Sequence, residues 1–360
     1  MKLKLLRIVG ARPQFMQAKP LTQELKKRGH QEILLHTGQH YDDRMSQQFF
    51  RDLNLSKADI NLGVGSANHG EQTASMIQGI EKHLLENKYD AVVVDGDTNS
   101  TLAGALAASK LHVPVVHVEA GMRSFDKKMP EEINRVLTDH VSKLLFCPSS
   151  VSQNNLAQEN IVKGVYLSGD LLAQCFYKFQ KEALARVEQN LQQYNLKQNE
   201  YVLLTLHRAE NVDNQKRLYD YLKVIATSPW TVVFPVHPRT YKKLVEFNLE
   251  HIIQQKPFQL IPPVGYLDML ALESSAIKIL TDSGGVQREA FYWHKQGVIL
   301  RDNTEWTEIV DSGWASLYLP GNDSCDLWKI CDANLLTDQQ FYGSTDVAQK
   351  IVDIMEANLL

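Results

Sequence analysis

Short runs of Val, Ile and Leu, separated by amphipathic stretches of helical length, constrain this chain more than any other feature of it. Strands covered by helices on both faces of a parallel sheet read as nearly continuous apolar runs, whereas half-exposed strands alternate. The runs predict strands over Leu3–Val9, Glu32–His36, Ala91–Asp95, Val113–Val118 and Leu144–Cys147. A second series follows over Tyr201–Thr205, Thr231–Val236, Phe258–Ile261, Ile277–Leu280 and Val298–Leu300. Between the two, from about Asp170 to Asn199, the chain is rich in Gln, Lys and Glu and reads as helices, most clearly over Ala183–Tyr194. Two successive β-α series predict an α/β protein of two Rossmann-like lobes, 1–168 and 169–344, hinged near Ser168–Asp170, with a last amphipathic helix over 345–360. A length of 360 residues suits two lobes sharing one cleft.

Several function classes fall away. A formal net charge of −4 advertises no basic face for nucleic acid. No apolar stretch approaches the ~20 residues that span a bilayer, and a signal-peptide pattern is lacking, so no membrane partner and a cytoplasmic location are expected. Cys147, Cys175, Cys325 and Cys331 have neither CxxC spacing nor neighbouring histidines; they read as buried thiols, and no metal site is expected.

The informative polar residues come directly after the expected strands, where a doubly wound sheet presents side chains to a ligand. Gly10-Ala11-Arg12-Pro13-Gln14 follows the first strand and carries a guanidinium into a helix start, suited to bidentate grip on a phosphate. A surface arginine at a helix start is the other reading. The turn is not a GxGxxG dinucleotide fingerprint, and the nearest approach, Gly63-Val64-Gly65-Ser66-Ala67-Asn68-His69-Gly70, misspaces its last glycine and follows no clear strand. No redox cofactor is expected. Thr281-Asp282-Ser283-Gly284-Gly285 follows a buried strand and opens a helix, so the backbone at Gly284 and Gly285 can approach an anion while Ser283 adds a hydroxyl. Glu289, four residues beyond Gly285, would repel phosphate and accept from a ribose diol, which together spell a nucleotide diphosphate. An N-cap with a solvated glutamate is the plainer alternative.

Three carboxylates gather in the first lobe: Asp97 after Ala91–Asp95, Glu119 ending Val113–Val118, and Glu131 after Pro130 at a helix start. Each has a structural reading, Asp97 as an N-cap, Glu119 paired with Arg123, and Glu131 favouring the helix dipole or pairing with Arg135. Converging on one cleft, acids raise one another's pKa and supply proton donor and acceptor near neutrality. In the second lobe, His207-Arg208-Ala209-Glu210-Asn211 follows the first strand, and a histidine there can neutralise a leaving phosphate or move a proton. His237, after Thr231–Val236, is a further candidate that also reads as a structural histidine.

These residues resemble the non-hydrolysing UDP-N-acetylglucosamine 2-epimerase family, whose fold is the two-lobed GT-B arrangement. The matching blocks are GARPQF from Gly10, TGQHYD from Thr37, DGDTNSTLAGALAASKL from Asp95, HVEAGMRSF from His117, MPEEINRVLTDH from Met129, HRAEN from His207, TDSGGVQREA from Thr281 and LRDNTEWTE from Leu300. The GARPQF, TGQHYD and LRDNTEW variants are similar to the branch that includes epimerases of UDP-2,3-diacetamido glucuronate, used in bacterial surface polysaccharides. The resemblance implies that Asp97, Glu119 and Glu131 are acid-base groups and His207 the catalytic histidine. It implies UDP contacts at Arg12, His237, Tyr266, Ser283, Gly284, Gly285 and Glu289, and a sugar wall that includes Arg123, Arg135, Arg301 and Glu305. A homodimer is expected. Many members carry a lysine where this chain has Gln17, a charge that Arg44 replaces if anything does, and the TGQHYDDRM segment differs from the loop with which some members bind a second UDP-sugar.

The C2 proton of an amino sugar is not next to a carbonyl, so the route implied is elimination of UDP to a 2-acetamidoglycal, then re-addition after protonation of the opposite face. That needs a dry cleft and a strong clamp on the leaving group. A hydrolysing epimerase, which would release UDP, a GT-B glycosyltransferase, which would use an acceptor, and a non-catalytic sugar-nucleotide binder are the rival readings.

Overall fold

The computed structural model describes residues 1–38, 58–65, 67–321, 327–329, 341–343 and 345–360, apart from the side chains of Arg12 and Pro13. Cys147 and Cys175 are buried thiols; Cys325, Cys331 and Arg44 lie outside the described residues. The chain divides into two compact units, one of Met1–Lys178 with 340–360, the other of Phe179–Gln339. Each is an α/β unit around one parallel sheet.

The first sheet contains β1 (Lys4–Val9), β2 (Gln31–His36), β3 (Ile60–Asn61), β4 (Ala91–Asp95), β5 (Val115–Val118), β6 (Leu144–Cys147) and β7 (Val165–Leu167) in the order β3-β2-β1-β4-β5-β6-β7. Successive strand residues point to opposite faces, and both faces are buried. Leu5, Val93, Val116 and Val118 enter one core cluster, while Leu6, Ile8, Val92, Val94 and Val115 enter another. The helix Val347–Leu359 belongs to the first of these, with Ile351, Val352 and Met355 against Leu21 and Leu25. Arg28 adds ion pairs to Asp353 and Glu356, and His30 meets Glu356 at 2.8 Å. The C-terminal helix therefore docks on the first unit.

The second sheet contains β8 (Tyr201–Thr205), β9 (Thr231–Pro235), β10 (Phe258–Ile261), β11 (Lys278–Thr281), β12 (Gly297–Ile299) and β13 (Ala315–Leu317) in the order β10-β9-β8-β11-β12-β13. The same alternation holds: Val202, Leu204, Phe234 and Leu280 face one cluster, Tyr201, Leu203, Val233 and Ile279 the other. The amphipathic stretch read as one helix over Ala183–Tyr194 is two pieces, Leu171–Leu184 and Val187–Gln193. At the break, Arg186 turns its guanidinium to Asp268 at 3.1 Å, and Asn190 donates to the same carboxylate.

In both sheets the strand order reverses beside the first strand, between β1 and β4 and between β8 and β11. Chains leaving such neighbours diverge to opposite faces and leave a crevice at their carboxyl ends, where open α/β sheets bind ligands.

Candidate active site

In the first unit the crevice is made by the turns after β1 and β4, and Gln14 fastens them together. Its Oε1 accepts from Gly10 N at 2.7 Å and Ala11 N at 2.9 Å. Its Nε2 donates to Asp95 O at 2.7 Å and to the hydroxyls of Thr98 and Thr101. Gly10 is needed for this closeness, since a Cβ there would lie 1.9 Å from Ser100 Oγ. Arg12 opens the helix Arg12–Lys27, but its side chain lies outside the described residues.

The two acids of Asp95-Gly96-Asp97 part company. Asp95 is fully buried and takes a two-point ion pair from Arg7, so it belongs to the core. Asp97, with its side chain 29% exposed, is the one presented, and Arg135 Nη2 holds it at 2.5 Å. Arg135 also reaches Glu132 at 3.1 Å, so its partners are Asp97 and Glu132 in place of the expected Glu131. Glu131 stands half-buried in the first turn of the helix Pro130–Val141, where the helix dipole favours its charge.

Glu119 follows β5 with φ +69°, in the left-handed region that non-glycine residues avoid at a cost of order 1–3 kcal/mol. That backbone turn sends its carboxylate to the buried amide of Gln17, which donates to it. The position where many family members carry a lysine thus supplies a neutral donor to a candidate catalytic acid. Arg123 is not the partner of Glu119. It is 2% exposed, and its guanidinium is bound to Glu159 at 2.7 Å through Nε and Nη2 and to Asp139 at 2.7 Å through Nη1. A guanidinium so engaged braces the fold.

Beneath these turns lies His117, fully buried, with Nδ1 2.7 Å from Asp139 and Nε2 2.8 Å from Gly96 O. Burial opposes charge on the ring, but Asp139 and the Gly96 carbonyl outweigh it and raise the imidazole above its ordinary value. As an imidazolium, His117 donates from both nitrogens and ties the Asp97 turn to the Asp139–Arg123 pair.

The second unit repeats the plan with different chemistry. β8 and β11 end in register, Thr205 opposite Thr281, with their hydroxyls 2.5 Å apart. The turns that follow are fastened by Asp282, fully buried, which accepts from His207 N at 2.9 Å, Arg208 N at 2.8 Å and Asn211 Nδ2 at 3.1 Å. The His207 ring, 41% exposed, sets Nδ1 3.1 Å from Asp282 Oδ1. Burial works to raise the pKa of Asp282, yet His207 and the backbone and amide donors hold it below the ordinary carboxylate range. The result is a histidine oriented by a charged aspartate, with Nε2 as its other proton site.

His237 caps the helix Pro238–Glu246, accepting from Arg239 N at 3.2 Å, and its ring lies 6.0 Å from that of His207. Ser283 caps the helix Gly284–Tyr292, accepting from Val286 N at 3.4 Å, and the N–H groups of Gly284 and Gly285 begin that helix. Glu289 lies on the same helix and is 5% exposed. Tyr266 opens the helix Tyr266–Ser275 with its ring edge-on to Phe179 at 6.2 Å. Arg301, fully buried, pairs with Glu305 at 3.0 Å, and Glu305 also stands 3.9 Å from Arg208. Within the first unit the structure links Asp97 to Arg135 and Glu119 to Gln17, and within the second it links His207 to His237 and Arg301 to Glu305. Gln14, His117, Asp139 and Asp282 were missed as functional positions, although each lies inside or beside a motif the sequence singled out. Among the described residues, no group of three or more His, Cys, Asp or Glu could hold a metal ion, and no helix is long and apolar enough to cross a membrane.

A family description, UDP-N-acetylglucosamine 2-epimerase, matches residues 23–356. A UDP-N-acetylglucosamine 2-epimerase of Methanocaldococcus jannaschii is 46% identical over 365 residues, covering 98% of this chain and 99% of that one. A UDP-2,3-diacetamido-2,3-dideoxy-D-glucuronate 2-epimerase of Pseudomonas aeruginosa is 40% identical, with 98% and 99% covered. The crystal structure of Methanocaldococcus jannaschii UDP-GlcNAc 2-epimerase in complex with UDP-GlcNAc and UDP superposes with a TM-score of 0.88 at 41% identity, covering 99% of this chain and all of that one. The turns that carry the candidate residues fall within the matched span, Arg12 and Gln14 excepted, and this chain belongs to the UDP-N-acetylglucosamine 2-epimerase family.

Proposed function

We propose that the protein inverts C2 of UDP-N-acetylglucosamine to the manno isomer by eliminating and re-adding UDP. The observation that carries this reading is the pairing of chemistries at two equivalent crevices. One presents carboxylates, the other a histidine beside an anion-ready helix start.

In this scheme a base of the first unit removes the C2 proton as the C1–O bond to UDP breaks, with the electron pair leaving on the diphosphate oxygen. The product is the 2-acetamidoglycal. Protonation of C2 from the opposite face and return of the UDP oxygen to C1 complete the inversion. Asp97, Glu119 and Glu131 are the proton-handling candidates, with Arg135 and Gln17 holding the first two. Arg12, the N–H groups of Gly284 and Gly285, and Ser283 receive the diphosphate, Glu289 the ribose, and Tyr266 and His237 line the nucleotide. His207, oriented by Asp282, stabilises departing UDP or shuttles a proton. Arg301 and Glu305 shape the sugar wall through their own ion pair.

The Pseudomonas relative favours a second substrate, the 3-acetamido uronate derivative of the same sugar. Incubation with UDP-GlcNAc and separately with that uronate, in deuterated water, distinguishes them by NMR. The expected result is deuterium at C2 of a manno product from UDP-GlcNAc. Turnover of the uronate alone would reassign the substrate, and release of free UDP with epimerised sugar would make the enzyme a hydrolase. The reading includes a cytoplasmic homodimer. Ile133 and Leu137, four residues apart on one helix and 47% and 44% exposed, offer apolar surface for a second copy, and light scattering of the purified protein tests this.

A further inference from the structure

Behind Glu289 lies a second carboxyl that neither the sequence motifs nor the proposed chemistry uses. Glu273, on the inner face of the helix Tyr266–Ser275, is fully buried. Its surroundings are the Glu289 side chain and the Trp293 indole, both from the helix that follows β11 and its cap, and Tyr201 of β8, whose hydroxyl donates to Leu272 O at 2.5 Å. The charged groups nearby in the chain are engaged elsewhere: Arg186 pairs with Asp268, Arg288 donates to Gly284 O and lies over the Trp306 ring, and Lys295 donates to Asn199.

Written as a carboxylate, Glu273 has no well-formed hydrogen bond to either oxygen, and the Trp293 indole beside it offsets its burial only in small part. Two carboxylates in contact are acceptor against acceptor, and an isolated buried charge costs far more than a buried neutral acid. One proton between them removes both problems, because a protonated carboxyl is a donor and the remaining anion accepts from it. Glu273 is the more deeply buried of the two and the one with both oxygens unpartnered, so a proton relieves it most; burial first, then the Glu289 charge, raises its pKa in the same direction.

We propose that Glu273 is a positioning residue for the nucleotide: its carboxyl O–H is given to one oxygen of Glu289, which keeps Glu289 anionic and turns its other oxygen to the ribose diol. The proposal rests on the reading of Glu289 as the ribose ligand. It explains how a side chain that is itself 5% exposed holds a charge and a fixed orientation beside a second acid. It also makes nucleotide affinity sensitive to pH on the alkaline side, since loss of the Glu273 proton sets two anions against each other.

The test is calorimetric titration of the full-length protein with UDP and, separately, pyrophosphate, across pH, for the wild type, Glu273→Gln, Glu273→Leu and Glu289→Ala. Pyrophosphate carries a phosphate titration of its own and serves as the control for it. Glu273→Gln keeps a donor and should bind UDP within about threefold of wild type near neutrality while losing the alkaline decline in UDP affinity. Glu273→Leu removes the donor and should weaken UDP by about tenfold or more, the effect of one hydrogen bond to a charged group, with pyrophosphate unchanged. Wild-type UDP affinity in the leucine variant, or the same alkaline decline in wild type and Glu273→Gln, overturns the proposal. The glutamine profile decides alone if the leucine variant does not fold. Equal loss of UDP and pyrophosphate in Glu289→Ala would instead remove Glu289 from the ribose, a failure of the underlying reading that this arm identifies separately.

Discussion

The turn pairs after β1 and β4 and after β8 and β11 occupy the same place in the same strand order, yet they are fastened by different groups. Gln14 bridges the first pair with an amide, which accepts from the N–H groups of one turn and donates to the carbonyl of the other. Asp282 bridges the second with a carboxylate, which can only accept, so the turn after β8 must supply every donor: His207 N, Arg208 N, Asn211 and the His207 ring. The difference has a consequence for function. The amide has no charge to lose, so its own grip on the two turns of the first crevice does not change with pH. The fastening of the second crevice rests on the charge of Asp282, which its donors hold below the ordinary carboxylate range.

The largest effect should come from removing protons where the comparison places their chemistry. Glu119→Gln and Glu131→Gln should each lower turnover by about 10²-fold or more, as loss of a general acid or base does, with UDP affinity little changed. Turnover by NMR and affinity by calorimetry on the same preparations check this. Near-native turnover with a lower melting temperature would return both glutamates to structural roles and leave Asp97 and His207 to carry the acid-base steps.

Exchanging the fasteners sharpens the comparison. Asp282→Asn removes the charge that orients His207 and weakens the acceptor on which the buried turn donors converge, and should destabilise by about 2 kcal/mol and lower turnover by about tenfold or more. Gln14→Leu strands buried N–H and C=O groups of the first crevice and should destabilise by about 2 kcal/mol. Their pH behaviour should differ in sign-specific fashion. The folded-state pKa of Asp282 lies below its unfolded value, so the stability it lends is complete above the ordinary carboxylate range and is lost as pH falls through the folded value. Melting temperature against pH should therefore flatten on the acid side in Asp282→Asn. In Gln14→Leu the curve should drop evenly and keep its acid limb. An unchanged acid limb in Asp282→Asn would mean that the histidine and aspartate are not coupled.

Much of this architecture is legible because most of the strands are short runs of mainly apolar residues. Ala91–Asp95, Leu144–Cys147, Tyr201–Thr205 and Phe258–Ile261 were read with their observed bounds. The strands that escaped, β3, β7 and β13, are two or three residues long and lie at the sheet edges, too short to stand out as apolar runs. The candidate residues were legible by type and by place after a strand. Their partners were not, because pairing is tertiary: Arg135 reaches back 38 residues to Asp97, Asp282 meets His207 across 75, and Gln17 meets Glu119 across 102. Helical spacing suggested Arg135 with Glu131 and Arg123 with Glu119, and tertiary contacts overrode it in both cases.

The smallest effect, and the finest cut between cap and ligand, concerns the two hydroxyls that open the helices after β4 and β11. Thr98 caps the helix Asn99–Lys110, accepting from Thr101 N at 3.3 Å, and its oxygen also takes Gln14 Nε2 at 3.1 Å. Ser283 caps the helix Gly284–Tyr292 through one long bond to Val286 N. Replacing either by alanine removes a cap, which is worth about 1 kcal/mol, so both variants should melt slightly lower. They should part on ligand. Thr98→Ala takes a hydroxyl already engaged within the first unit and should leave UDP and pyrophosphate affinity unchanged. Ser283→Ala takes a hydroxyl whose proton the anion would receive, and should weaken UDP and pyrophosphate equally, by about tenfold, since a hydrogen bond to a charged group contributes about 1.5 kcal/mol or more. Calorimetry with both ligands on both variants decides it. Unchanged affinities in Ser283→Ala would make Ser283 a cap like Thr98 and leave the anion to the backbone N–H groups of Gly284 and Gly285, whereas a loss confined to UDP would move the hydroxyl from the phosphates to the nucleoside.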